Sequence, residues 1–105
     1  VPDLAGWRRE RIPEMPKDPF FTIVPDWICE VLSPSTVRYD RATKMPLYAN
    51  LEVKYLWLID PVAKTLEIFL NDHKRWTLIH TYANEDKIRA IPFDAIEIEM
   101  KVLWD

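Results

Sequence analysis

The sequence predicts a mixed α/β (or α+β) domain, a sheet with at least one helix packed on it, and three observations carry that prediction. Two strongly apolar runs, Asp26 to Ser33 and Tyr55 to Ile59, have the length and composition of buried strands. Between them, Tyr39 to Leu51 places apolar side chains at spacings of three and four, the period of a helix. Further on, Thr65 to Leu70 and Arg75 to Tyr82 flank Asn71-Asp72-His73-Lys74, the pattern of a β-hairpin. Strand, helix, strand and hairpin in one short chain give a sheet of mixed direction.

Val1 to Trp7 reads as the first strand. Arg8 to Lys17 is charged and holds Pro13 and Pro16, so it is a surface loop, and Phe20 to Val24 is a short extended piece. In the next strand Trp27, Cys29 and Val31 share one face, and Ile28, Glu30 and Leu32 share the other. Both faces are apolar apart from Glu30, which predicts a central strand covered on both sides. Ser33-Pro34-Ser35-Thr36 ends it and offers helix caps. In the helix, Lys44, Leu47, Tyr48 and Leu51 are expected to face the sheet, and Arg41, Asn50 and Lys54 to face water. Asp40 reads as an N-terminal cap. Pro46 suits only a first helical turn and would otherwise kink the helix. Asp60-Pro61 closes the following strand. In the first hairpin arm Leu66, Ile68 and Leu70 alternate with Glu67 and Phe69, and Ile88 to Ala90 and Ala95 to Met100 are further short strands.

A chain of 105 residues, 49% hydrophobic, affords one core and one domain, and is too apolar for disorder. Nine prolines against one glycine leave the turns to Pro, Asn and Asp. A net charge of −3 supplies no electrostatic footprint for tight nucleic-acid binding by this segment alone. Cys29 is the single cysteine, which excludes an intrachain disulfide and a cysteine zinc cluster and fits a reducing cytoplasm, the expected location. No apolar run is long enough to span a bilayer. The chain opens without Met and inside a strand-like run, so upstream elements are expected to be missing.

Glu30 stands out because an ionised carboxylate in an apolar strand is costly unless it is paired, protonated or bound to a metal. Three residues are candidates to act together: Asp3 in Pro2-Asp3, Glu30, and Lys44 on the following helix. Phosphodiester hydrolysis with Mg²⁺ (or Mn²⁺) needs hard oxygen ligands that leave most of the coordination shell to water and phosphate, and two carboxylates on neighbouring strands can supply them. A nearby lysine can orient the attacking water and offset charge building on the phosphate.

VPDLAGWRRERIPE, PDWICEVLSPST, DRATKMPLYA and YLWLIDP resemble the bacterial Uma-two family of restriction endonucleases, within the PD-(D/E)XK nuclease-like superfamily, over nearly the whole chain. The resemblance implies a restriction-endonuclease-like mixed central sheet with a flanking helix and a C-terminal β-hairpin. It further implies a DNA endonuclease in which Asp3 and Glu30 bind metal. The superfamily pattern is PD followed by acid-x-lysine, and Leu32 stands where that lysine normally does. The family places the lysine on the helix, and Lys44 is the matching position. Relatives carry a glycine turn where this chain has Leu51-Glu52. The resemblance also implies an N-terminal helix and a strand with another acid, absent here.

Plainer readings stand beside these. Asp3 is also a polar residue at a strand start. Glu30 is also half of a structural ion pair with Lys44 or Arg41, and Lys44 can snorkel to the surface. Ser33 and Ser35 lack a histidine at a partner spacing, and His73 and His80 lack metal-ligand spacing. Cys29 reads as a small core residue. Arg8, Arg9 and Arg11 form a solvated loop offset by Glu10 and Glu14, with a phosphate-contacting loop as the alternative. Trp104 can anchor an interface. The competing function is a catalytically inactive nuclease-fold module for binding or oligomerisation, and a homodimer is one assembly it allows, through an open strand edge.

Overall fold

The computed structural model describes residues 2–11, 23–84 and 87–104. Five strands form one sheet in the order β1-β2-β3-β4-β5: β1 (Leu4–Gly6), β2 (Trp27–Val31), β3 (Tyr55–Asp60), β4 (Thr65–Asp72) and β5 (Arg75–Ala83). Only β2 and β3 run parallel; the other neighbours are antiparallel. A parallel pair needs a crossover, and the helical stretch between β2 and β3 supplies it. That stretch is α1 (Val37–Tyr39), a π-helical segment (Asp40–Lys44) and α2 (Met45–Asn50).

The predicted mixed sheet, helix and hairpin are all present. β2 is sandwiched between β1 and β3, and its faces divide as the alternation requires. Ile28 and Leu32 join Tyr48, Val53, Leu56, Leu58 and Phe69 under the helix. Cys29 joins Trp57, Leu66 and Ile68 on the opposite face. That second face is covered by the C-terminal stretch, through Ile88, Ala90 and Met100. There the predicted short strands shrink to β6 (Lys87–Ile88) and β7 (Ile98–Glu99), an antiparallel pair, and α3 (Lys101–Trp104) follows unpredicted. Trp104 packs against this chain's own core and donates to the Asn84 carbonyl at 2.8 Å, so its anchoring is internal. The first strand is shorter than Val1 to Trp7, and Ile23 and Val24 lie outside any strand. Residues 12–22, with most of the predicted loop and extended piece, lie outside the described residues.

Helix facing departs from the expected stripe. Tyr48 is buried and Lys44 turns inward, but Leu47 and Leu51 are 52% and 48% exposed. The inward-facing stripe is Asp40, Tyr48 and Ala49, which are buried, with Lys44 and Met45 half-buried. Pro46 has no N–H, and its ring clashes with the preceding turn in a regular helix. The wide π turn, closed by Met45 N–H to the Asp40 carbonyl, sits directly before it and places Pro46 in the first turn of α2. Asp40 is therefore inside the helix, 3% exposed, and not its cap. Before the helix, Ser33 and Thr36 satisfy each other: Ser33 N–H reaches Thr36 Oγ1 at 3.3 Å, and the Ser33 carbonyl accepts from Thr36 and Val37. The segment breaks the strand as predicted, without a side-chain cap on α1.

The helix ends in a Schellman arrangement. Glu52 N–H bonds the Ala49 carbonyl and Val53 N–H bonds the Tyr48 carbonyl, with Glu52 at φ 65°. Asn71 then ties this end to the hairpin, its Nδ2 donating to the Ala49 and Val53 carbonyls at 3.1 and 2.9 Å. The same side chain accepts from Lys74 N–H at 2.9 Å, inside the tight turn where His73 and Lys74 both take positive φ. At the other sheet end, Asp60 Oδ1 accepts from Val62 and Ala63 N–H at 3.0 Å each, the turn that Asp60-Pro61 foretold.

The floor of the second face is a triangle of rings. Trp27, Trp57 and Phe93 meet edge to face at centroid separations of 5.0 to 5.5 Å. Gly6, the only glycine, crosses so close that a Cβ there would lie 3.1 Å from the Trp27 ring. Trp27 Nε1 is buried without a hydrogen-bond partner among the described residues, a cost of about 1–3 kcal/mol against the packing of those rings.

Candidate active site

The sheet register builds the site row by row. Glu30 on β2 pairs with Leu58 on β3, and Leu58 pairs with Glu67 on β4. All three side chains therefore point to the helix face. Across it, Lys44 Nζ lies 3.1 Å from Glu30 Oε2 and 3.4 Å from Asp40 Oδ1. Tyr48 Oη donates to Glu30 Oε1 at 2.8 Å. Lys44 and Tyr48 sit one helical turn apart, which lets each take one oxygen of the same carboxylate. Arg41, expected to face water, reaches back to the sheet and pairs with Glu67 Oε1 at 2.5 Å while staying 43% exposed.

Asp3 closes the site from the other side. β1 and β2 are antiparallel with Leu4 opposite Cys29, so the chain before Leu4 runs alongside the end of β2. There Asp3 Oδ2 accepts from Val31 N–H at 2.7 Å, one residue past Glu30. Asp3, Glu30 and Lys44, singled out from the sequence, are thus brought to one end of β2. Tyr48 and Asp40 were missed as members of the site. Tyr48 read as an apolar helix-face residue and Asp40 as a cap; their spacing of four residues on either side of Lys44 is the signal that finds them.

Glu30 is 2% exposed. Burial pushes its carboxyl pKa up, the Tyr48 and Lys44 hydrogen bonds and the Lys44 charge pull it down, and the Asp3 charge adds a push upward; the net direction is up. Lys44 loses to burial but gains from its bond and attraction to Glu30 and from Asp40, and its ammonium is held above the usual lysine value. On the far face Cys29, 1% exposed, has its thiol pushed up to about 12 by burial and then by Asp3 and Glu30.

No group of three or more His, Cys, Asp or Glu side chains is gathered for a metal among the described residues. Mg²⁺ does not require so large a group, because it keeps several waters and is held by one or two carboxylates with substrate phosphates. Each Glu30 oxygen accepts one donor and has a second lone pair. Asp3 is exposed, and its Oδ1 is unengaged among the described residues.

The fold is a mixed sheet with an acid–lysine pair held beneath its crossover helix. The chain belongs to the Uma2 family, described as "Putative restriction endonuclease", whose model matches residues 1–101. A crystal structure described as a putative nuclease belonging to DUF820 from Anabaena variabilis shares the fold, with a TM-score of 0.75 and 23% identity. The match covers 99% of this chain and 59% of that one, so this chain spans about three-fifths of that length. No curated protein matches. Among the described residues no helix is long and apolar enough to cross a membrane.

Proposed function

We propose that this chain carries part of a metal-dependent endonuclease site for DNA phosphodiester bonds. The observation that supports it is the meeting of Asp3, Glu30 and Lys44 at one end of β2 in a chain of the Uma2 family. Asp3 and Glu30 would hold Mg²⁺ or Mn²⁺. When bound, the ion supplies Lewis-acid polarisation of the phosphate and a more acidic water. Lys44, held by Glu30 and Asp40, would offset the charge that builds on the phosphate. Tyr48 holds Glu30 on its other oxygen, which fixes the carboxylate plane.

The test is DNA cleavage and thermal melting of the intact protein with and without Mg²⁺ or Mn²⁺, alongside Glu30→Gln and Lys44→Ala. The expected result is metal-dependent cleavage and a metal-dependent rise in Tm, both absent in Glu30→Gln. Lys44→Ala should lose about 10²–10³-fold in rate, the usual loss for one preorganised donor. Saturable metal stabilisation that persists in Glu30→Gln would remove Glu30 from the site.

One observation favours a second reading. Both Glu30 oxygens are already engaged, by Lys44 and Tyr48, which satisfies the buried acid as a purely structural ion pair. The chain would then be a catalytically inactive nuclease-fold module, and no metal would shift its melting.

A further inference from the structure

On the face of the sheet away from Glu30 lies a cavity of about 400 Å³ that the nuclease reading leaves unused. It opens at the starts of β2 and β3, where Trp27 and Tyr55 are register partners. Trp7 and Phe93 complete an aromatic lining, and Arg8 and Arg9 stand at its edge.

We propose that this cavity binds one nucleotide, its base against the aromatic walls and its phosphate on Arg8 and Arg9. The walls are preset. Trp27 is held edge to face by Phe93 and Trp57, and Trp57 Nε1 is tied to the Ile91 carbonyl at 2.7 Å, beside Pro92 of the lining. Trp7 is fixed by its Nε1 bond to the Ile23 carbonyl at 2.8 Å. Rings held in this way accept a flat, uncharged base without losing further freedom, and stacking tolerates any base. Gly6 leaves the room beside Trp27 that a Cβ would take.

The charges select the rest of the ligand. Asp26 is spent internally, accepting from Arg8 N–H at 2.7 Å and pairing with Arg11 at 2.5 Å. Arg8 meets Glu10 only loosely, at 3.8 Å and with both side chains exposed, and Arg9 has no ion pair among the described residues. An aromatic cage alone suits cations. Glu10 and Asp26 also line the opening, but Asp26 is paired with Arg11 and Glu10 meets Arg8 only at 3.8 Å, so the Arg8 and Arg9 guanidiniums are left to grip a phosphate in bidentate fashion. The volume falls in the range of small-ligand sites, about 300–1,000 Å³, and is too small for a duplex. The nucleotide is free in solution or is the last residue of a strand, and both offer the same base and phosphate.

Titration of the intact protein, followed by tryptophan fluorescence and calorimetry, tests this with dAMP, deoxyadenosine, inorganic phosphate and a short 5′-phosphorylated single-stranded oligonucleotide. Saturable binding of dAMP or the oligonucleotide is expected, tighter than deoxyadenosine or phosphate alone. A preference for dAMP identifies the free nucleotide as the ligand, and a preference for the oligonucleotide identifies the strand end. Arg9→Glu, at an exposed position with no ion pair among the described residues, should weaken binding about tenfold or more. Binding of dAMP should be the same with and without Mg²⁺ or Mn²⁺, so the inference stands or falls apart from the metal site. No saturation with either nucleotide probe at millimolar concentration overturns it. So does equal affinity in Arg9→Glu, or phosphate binding as tightly as dAMP.

Discussion

Replacing Tyr48 by Phe removes one hydroxyl and keeps the ring that packs with Ile28, Leu56 and Leu58. What is lost is the 2.8 Å bond to Glu30 Oε1 in a place where water does not replace it. A hydrogen bond to a charged acceptor contributes about 1.5–3 kcal/mol. The loss has a ceiling, because Glu30 can take up a proton instead. Because its folded pKa is raised, that proton is taken up more easily at pH 5 than at pH 7. The expected destabilisation is therefore up to about 1.5–3 kcal/mol at pH 7 and smaller at pH 5. The sign follows from the direction of the shift. Glu30 already has a raised pKa when folded, so stability is highest below the ordinary value and falls as pH rises through the raised one. Removing Tyr48's bond raises that pKa further and extends the fall to higher pH. Urea unfolding of wild type, Tyr48→Phe, Glu30→Gln and the double variant at both pH values measures this. In the Glu30→Gln background the Tyr48→Phe loss should shrink and lose its pH dependence. An equal loss at pH 5 and pH 7, or none at pH 7, would refute an ionised Glu30 held by Tyr48.

Asn71→Ala should cost about 1.5–4.5 kcal/mol, from three hydrogen bonds of about 0.5–1.5 kcal/mol each, and hydrogen exchange should quicken at the end of α2 and in the hairpin turn together. Exchange that quickens in the turn alone would mean the helix end does not depend on Asn71. Glu52→Gly should stabilise by up to about 1 kcal/mol, because Glu52 holds φ 65° at the helix end where glycine is unstrained; a destabilised variant in thermal melting would contradict that geometry. Cys29, 1% exposed and with its thiol raised to about 12, should resist alkylation in the native protein at pH 8 and react fully in denaturant. Rapid native labelling would place it outside the core.

Much of the fold was legible because alternation and helical spacing are local properties. The two faces of β2, the hairpin arms and the Asp60-Pro61 turn follow from side chains a few residues apart. Uma2 membership rested likewise on short blocks of residues. The helix facing was misread at Leu47 and Leu51 because a regular period was carried through Pro46, whereas the π turn before it resets which side chains meet the sheet. A short C-terminal helix was missed because four residues carry too little periodicity to register.

By itself the sequence determined that a mixed sheet forms, that β2 is covered on both sides, and that Glu30 is an acid needing a partner. Tertiary structure alone decided who that partner is. Lys44 and Arg41 are three residues apart on one helix, and local spacing could not choose between them. The row Glu30-Leu58-Glu67 settles it, because it offers each cation its own acid with one strand between them, and burial penalises any arrangement that leaves a carboxylate unpaired. Tyr48 enters for the same reason, since a buried carboxylate has two oxygens to satisfy and the ammonium reaches only one of them.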